Sequence, residues 1–104
     1  MADLARYDRA LFGHQLIRPS SLAEMLKSTV LEDGSVVPYG FGWSLSTDAD
    51  GTLYYAHAGN WLGYTAYYLH FPDDKLAVTV LSNRSDTETE ELATTAAEMF
   101  RTPK

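Results

Sequence analysis

The 104-residue sequence contains no cysteine. Disulfide frameworks, thiolate metal sites and cysteine nucleophiles are therefore excluded together. Basic side chains are also scarce, with 8 Lys and Arg against 14 Asp and Glu and a formal net charge of -6. No basic run offsets this balance, which disfavours nucleic acid and anionic membrane as partners. No stretch approaches the roughly 20 apolar residues of a membrane-spanning helix. Met1 to Arg6 lack the basic start and apolar run of a signal peptide, so the chain as given reads as cytoplasmic. Internal repeats, low-complexity tracts and interdomain linkers are missing too, which makes residues 1-104 one domain. The three histidines, His14, His57 and His70, fall on separate predicted elements without metal-ligand spacing, so neither a metal nor a cofactor is expected.

What is present suits a soluble globular domain, with 45% hydrophobic and 21% charged residues. Asp3 is positioned to cap a first helix with Leu4, Tyr7, Leu11 and Phe12 at helical spacing and Gly13 as its stop. A second helix is expected after Arg18-Pro19, with Ser21 and Glu24 at capping-box spacing and Leu22, Met25 and Leu26 as its apolar stripe. Asp33-Gly34 predicts a short hairpin between residues 29-31 and 36-37. From Tyr39 the period changes to two, placing Phe41, Trp43 and Leu45 on one face of a strand and Gly40, Gly42 and Ser44 on the other.

Three further strands are predicted, at Thr52 to Ala58, Tyr64 to Phe71 and Leu76 to Ser82. Asp48 to Gly51, Asn60 to Gly63 and Pro72 to Lys75 would join them, and such short loops favour antiparallel neighbours. The last strand is apolar in both alternating sets and should be covered on both faces. Thr87 and Glu90 have capping-box spacing ahead of a terminal helix, with Leu92, Ala96, Met99 and Phe100 as its stripe and Pro103 as its end. The expected class is α+β, an antiparallel meander of about four strands packed against N- and C-terminal helices.

Tyr39-Gly-Phe-Gly-Trp43, His57-Ala58-Gly59, Gly63-Tyr64, Pro72 to Lys75 and Leu76 to Asn83 follow one another in an ordered set. This set resembles the C-terminal part of the superfamily of serine β-lactamases, penicillin-binding proteins and carboxylesterases, and is most similar to class C β-lactamases. The resemblance implies that His57 holds the place of a Lys- or His-x-Gly triplet on the active-site wall, where it would bind substrate carboxylate or orient proton transfer. It implies that the backbone N–H of Asn60 is one of two oxyanion-hole donors. Ala58, Gly59 and Trp61 would border the substrate, an ester or a lactam.

Members of that superfamily take their nucleophile from Ser-x-x-Lys and a second anchor from Tyr-x-Asn or Ser-x-Asn. Neither motif occurs here. Three positions before the lysines stand Glu24, Pro72 and Arg101, and two positions before the asparagines stand Ala58 and Leu81. Two functions follow from this pattern. One is a partial serine hydrolase that carries one wall of an acyl-transfer site and depends on an N-terminal half. The other is a non-catalytic module that reuses the half-fold to bind a small ligand or to assemble. A non-serine hydrolase centred on His57 is a weaker third reading, because no partner nucleophile is evident. The resemblance also implies that the strand Leu76 to Ser82 has lost a neighbour, so a homo-oligomer is expected through that edge or through exchanged N-terminal helices.

Overall fold

β5, Tyr64–Phe71, sits at the middle of the structure because its residues alternate between two apolar environments. The structure, a computed structural model, describes residues 1-101. Helices α1 (Ala2–Phe12) and α2 (Pro19–Met25) precede a two-stranded hairpin of β1 (Thr29–Val30) and β2 (Val36–Val37). Strands β3 (Ser44–Thr47), β4 (Leu53–Trp61), β5 and β6 (Leu76–Ser82) form an antiparallel sheet in chain order, followed by α3 (Thr89–Phe100). The α+β class and the four-strand meander are as the sequence indicates.

Side chains of β4 to β6 divide into two layers. Ala56, Tyr67, Leu69 and Phe71 form a core with Ala93 and Ala97 of α3. On the other face Trp43 and Tyr55 pack with Leu11 and Leu22 of the first two helices. Burial disfavours the ionised form of the sheet tyrosines. It pushes the Tyr67 phenol up to about 12, with Glu90 and Tyr54 adding to the shift, and Tyr68 is raised in the same direction. A raised phenol keeps its proton longer in the folded chain than in the unfolded one. The stability it contributes is complete below about pH 10 and is lost as pH climbs toward about 12. Chemical denaturation at increasing pH should therefore show falling stability above pH ~10, accompanied by absorbance of tyrosinate. A flat profile through that window would count against the buried phenols.

Several local expectations need correction. α1 starts at Ala2, so Asp3 lies inside the helix and accepts from Arg6 at 3.0 Å rather than capping it. Gly13 follows the helix with φ -89, and His14 is the residue in the left-handed region at φ 64. Gly13 is needed for another reason, since a Cβ there would lie 2.6 Å from the Arg9 carbonyl oxygen. Pro19 sets the start of α2 and leaves Ser21 within it. Thr87 is not a cap either, because its Oγ1 sits 2.7 Å from Ser82 Oγ at the end of β6.

The apolar stripe of α3 is also displaced from the expected one. Thr89, Ala93 and Ala97 face the sheet, whereas Leu92, Met99 and Phe100 are 51%, 76% and 73% exposed. Small residues win this position because Tyr67, Leu69 and Phe71 already fill the sheet face, and only alanines let the helix approach. The helix ends at Phe100, and the stop expected at Pro103 lies outside the described residues. Arg101 closes the element by bonding Asp48 at 2.6 Å and Asp74 at 3.1 Å, with its guanidinium 4.3 Å from the Phe71 ring centroid.

β6 is not covered on both faces as expected. Leu76, Val78 and Val80 are half-buried beneath α3, but Ala77 and Leu81 on the other face are exposed. Nor does a strand begin at Tyr39. Gly42 takes φ +84, Phe41 turns out to solvent and Trp43 turns in, so that the ladder starts at Ser44. Gly40 marks the reason, since a Cβ there would sit 2.0 Å from the Met25 carbonyl oxygen. The end of α2 presses on this segment, and Phe41 N–H donates to that same oxygen at 2.8 Å.

Candidate functional site

Cross-strand register assembles the site. His57 of β4 stands opposite Tyr68 of β5, and Tyr68 opposite Thr79 of β6, while Gly59, Ala66 and Leu81 form the next row. Period-two alternation puts all six on the sheet face that meets α1 and α2. Beyond the reach of these helices the face stays open as a cleft of about 370 Å³, with Leu4 and Tyr7 on one side and Phe41, Gly42 and Trp43 on the other. His57 lies exposed on its floor, its ring centroid 6.3 Å from that of Tyr39.

The backbone beside His57 follows from the ladder. Asp48 N–H donates to the Thr52 carbonyl at 3.0 Å, so the bonded pairs between β3 and β4 fall at Ser46–Tyr54 and Ser44–Ala56. Even-numbered residues of β4 thus direct N–H and C=O toward β3. β3 begins at Ser44, opposite Ala56, so Ala58 and Asn60 present their backbone groups to an edge along which no strand continues among the described residues. The methyl group of Ala58 lies on the face away from the cleft, and Gly59 leaves open space on the near face, its nearest would-be contact being Ala66 Cβ at 3.6 Å.

Asn60 and Trp61 were expected in a four-residue loop but belong to β4, which the hairpin reverses with Leu62 and Gly63 alone. Gly63 supplies the positive φ, +84, that this tight reversal requires. Trp61 is paired with Tyr64 and 73% exposed. It borders a separate shallow hollow with Gly59, Asn60, Thr65 and Leu81, rather than the His57 cleft. The structure therefore brings His57 and Gly59 together in one cleft and sets Asn60 and Trp61 at its neighbour.

One group next to the cleft was not singled out in the sequence. Asp8 of α1 is only 8% exposed, and its Oδ1 accepts from Tyr68 Oη at 2.6 Å and lies 2.9 Å from His70 Nδ1. His70 is itself 5% exposed and stacks on Phe12 with ring centroids 3.6 Å apart. Burial is the main reason the Tyr68 phenol is pushed up, with the Asp8 bond and charge adding to it. The signal was available, because Asp8 lies four residues after Leu4 and four before Phe12 on the apolar stripe. A carboxylate at such a position needs a buried donor. Among the described residues no three His, Asp or Glu side chains gather in a metal-binding set.

Comparison with known proteins adds two findings. The family model described as Beta-lactamase matches residues 1–99. Penicillin-binding protein 4* of Bacillus subtilis (strain 168) is 33% identical over 98 residues, which is 93% of this chain and 22% of that protein. The chain thus spans less than a quarter of the length of this curated relative.

Proposed function

The chain belongs to the Beta-lactamase family, and from that premise we propose that it forms one wall of a serine acyl-transfer site whose nucleophile lies on residues other than these. In this reading a β-lactam or ester carbonyl lies along the open edge of β4. The N–H of Asn60 donates to the carbonyl oxygen as it becomes an oxyanion, and the missing Cβ of Gly59 lets the substrate approach. His57 binds a substrate carboxylate or relays a proton, while Ala58 contributes its backbone and Trp61 an apolar rim. The observation that carries the reading is the backbone of Ala58 and Asn60, without a strand partner toward β3 among the described residues, beside the exposed His57 imidazole.

A second reading, a non-catalytic ligand-binding module, is favoured by the lining of the cleft. Its hydroxyl groups come from Tyr7, Tyr68 and Thr79, and no serine among the described residues borders it. One experiment separates the two. The 104-residue chain alone should hydrolyse neither a chromogenic cephalosporin nor an aryl ester above its His57→Ala control. Mixed with a polypeptide carrying the family's Ser-x-x-Lys region, it should give turnover that His57→Ala lowers by about 10²-fold. Ligand binding without turnover or covalent labelling in that mixture would select the module instead. Turnover by the chain alone, abolished by His57→Ala, would overturn both readings in favour of a histidine-centred hydrolase.

A further inference from the structure

Asp8 ties together two neighbouring rungs of the sheet. Odd-numbered residues of β4 bond toward β5, so Tyr55–His70 and His57–Tyr68 are successive bonded pairs whose side chains share the face beneath α1. On β5 these rungs end in His70 and Tyr68, and one oxygen of Asp8 serves both, at 2.9 Å from His70 Nδ1 and 2.6 Å from Tyr68 Oη. The next row, Gly59 and Ala66, carries no bulk. His57 therefore stands at the boundary where packed side chains give way to the open cleft.

At that boundary the place of the imidazole is set by its neighbours. Directly opposite side chains have Cβ atoms about 5 Å apart, so the Tyr68 ring is the large group against which His57 leans on the β5 side. Tyr39 comes from the segment that leads into β3, its ring centroid 6.3 Å from that of His57. The Tyr68 ring is in turn held twice. Trp43 meets it edge-on with ring centroids 5.0 Å apart, and the bond to Asp8 fixes its hydroxyl end. A hydrogen bond to a buried carboxylate disfavours competing rotamers by about 10-fold or more.

We propose that Asp8 is a positioning residue for His57, acting through Tyr68. α1 is then more than a cover for the sheet, because its buried carboxylate fixes the ring that orients the imidazole in the cleft. Misplacing a reacting group by about 1 Å can cost about 10²-fold in rate, so a fixed ring serves both carboxylate binding and proton relay. That consequence rests on the acyl-transfer reading given above. The orientation of the ring does not.

Nuclear magnetic resonance of the chain alone reads that orientation. The His57 ring protons should show nuclear Overhauser contacts to the Tyr68 ring. Asp8→Ala should lose most of their intensity, while Asp8→Asn, which keeps a carbonyl acceptor for the Tyr68 hydroxyl, should retain it. A carboxylate that served stability alone would lower the denaturation midpoint of Asp8→Ala and leave the His57 contacts of the folded molecules unchanged. If Asp8→Ala does not fold, Tyr68→Phe decides, since it keeps the ring and deletes the bond, and it is expected to weaken the same contacts. Parent-like His57 contacts in the folded Asp8→Ala or Tyr68→Phe chain would overturn the proposal. Neither substrate nor a second polypeptide enters the measurement, so its failure is distinct from failure of the acyl-transfer reading.

Discussion

Asp8→Ala is expected to cost about 3–5 kcal/mol of folding stability, because one carboxylate oxygen serves two buried partners and a hydrogen bond to such a group is worth about 1.5–3 kcal/mol. Only 11% of the Asp8 side chain and 6% of the His70 side chain reach solvent. The substitution leaves the Tyr68 hydroxyl and the His70 ring nitrogen without the oxygen that each meets in the parent. Tyr68→Phe removes a single hydrogen bond to the carboxylate and keeps the ring, so it should cost less, about 1.5–3 kcal/mol. The two substitutions share a bond, and their combined effect should fall short of the sum. Urea unfolding of the two single variants and the double variant measures all three quantities. A loss below about 1 kcal/mol for Asp8→Ala, the range of exposed pairs, would mean that solvent reaches the carboxylate.

Leu69→Ala should be comparably damaging, at about 2–5 kcal/mol. Leu69 is fully buried between the sheet and α3, among Ala56, Tyr67, Phe71, Ala93 and Ala97. Its aromatic neighbours are held by β5 itself and cannot collapse into the space. The alanines of α3 have no side chain with which to fill it. Most of the cavity should therefore persist, which places the loss toward the upper part of the range. A domain whose total stability is about 5–15 kcal/mol would then be near its unfolding threshold at room temperature. The midpoint of chemical denaturation tests this, and a variant within about 1 kcal/mol of the parent would show that the helix settles inward to close the gap.

Sheet order was legible in the sequence because each connection carries a local turn signal. Asp33-Gly34, Asp48 to Gly51 and Pro72 to Lys75 act within a few residues, and the strands between them alternate clearly. The departures arose where distant contacts decide. Tyr39 to Trp43 reads as a strand, yet the end of α2 presses on Gly40 and the chain doubles back before Ser44. Leu92, Met99 and Phe100 have the spacing of a buried stripe, but the bulk of the opposing sheet selects Ala93 and Ala97. At the candidate site, the sequence could locate His57 and Asn60 but not sort them. Only the register shows that the His57 imidazole and the Asn60 backbone reach open space in different directions, one into the cleft and one along the edge. Asp8 was missed because a single acid on a stripe has no visible partner until β5 is brought against α1.

The separation of those partners also governs how the molecule assembles in time. β3, β4 and β5 each pair with the next strand along the chain, so the sheet can grow by successive short hairpins. Local closures of this kind are the fast ones in folding. The Asp8–Tyr68 bond instead joins residues 60 apart and closes a loop that contains most of the meander. That closure is slow to nucleate and has a surface to land on only after β5 is in place. α1 is thus the last of these elements to dock on the sheet. Until it does, the cleft floor at His57 and Tyr68 is exposed, and its walls are the final part of the fold to form.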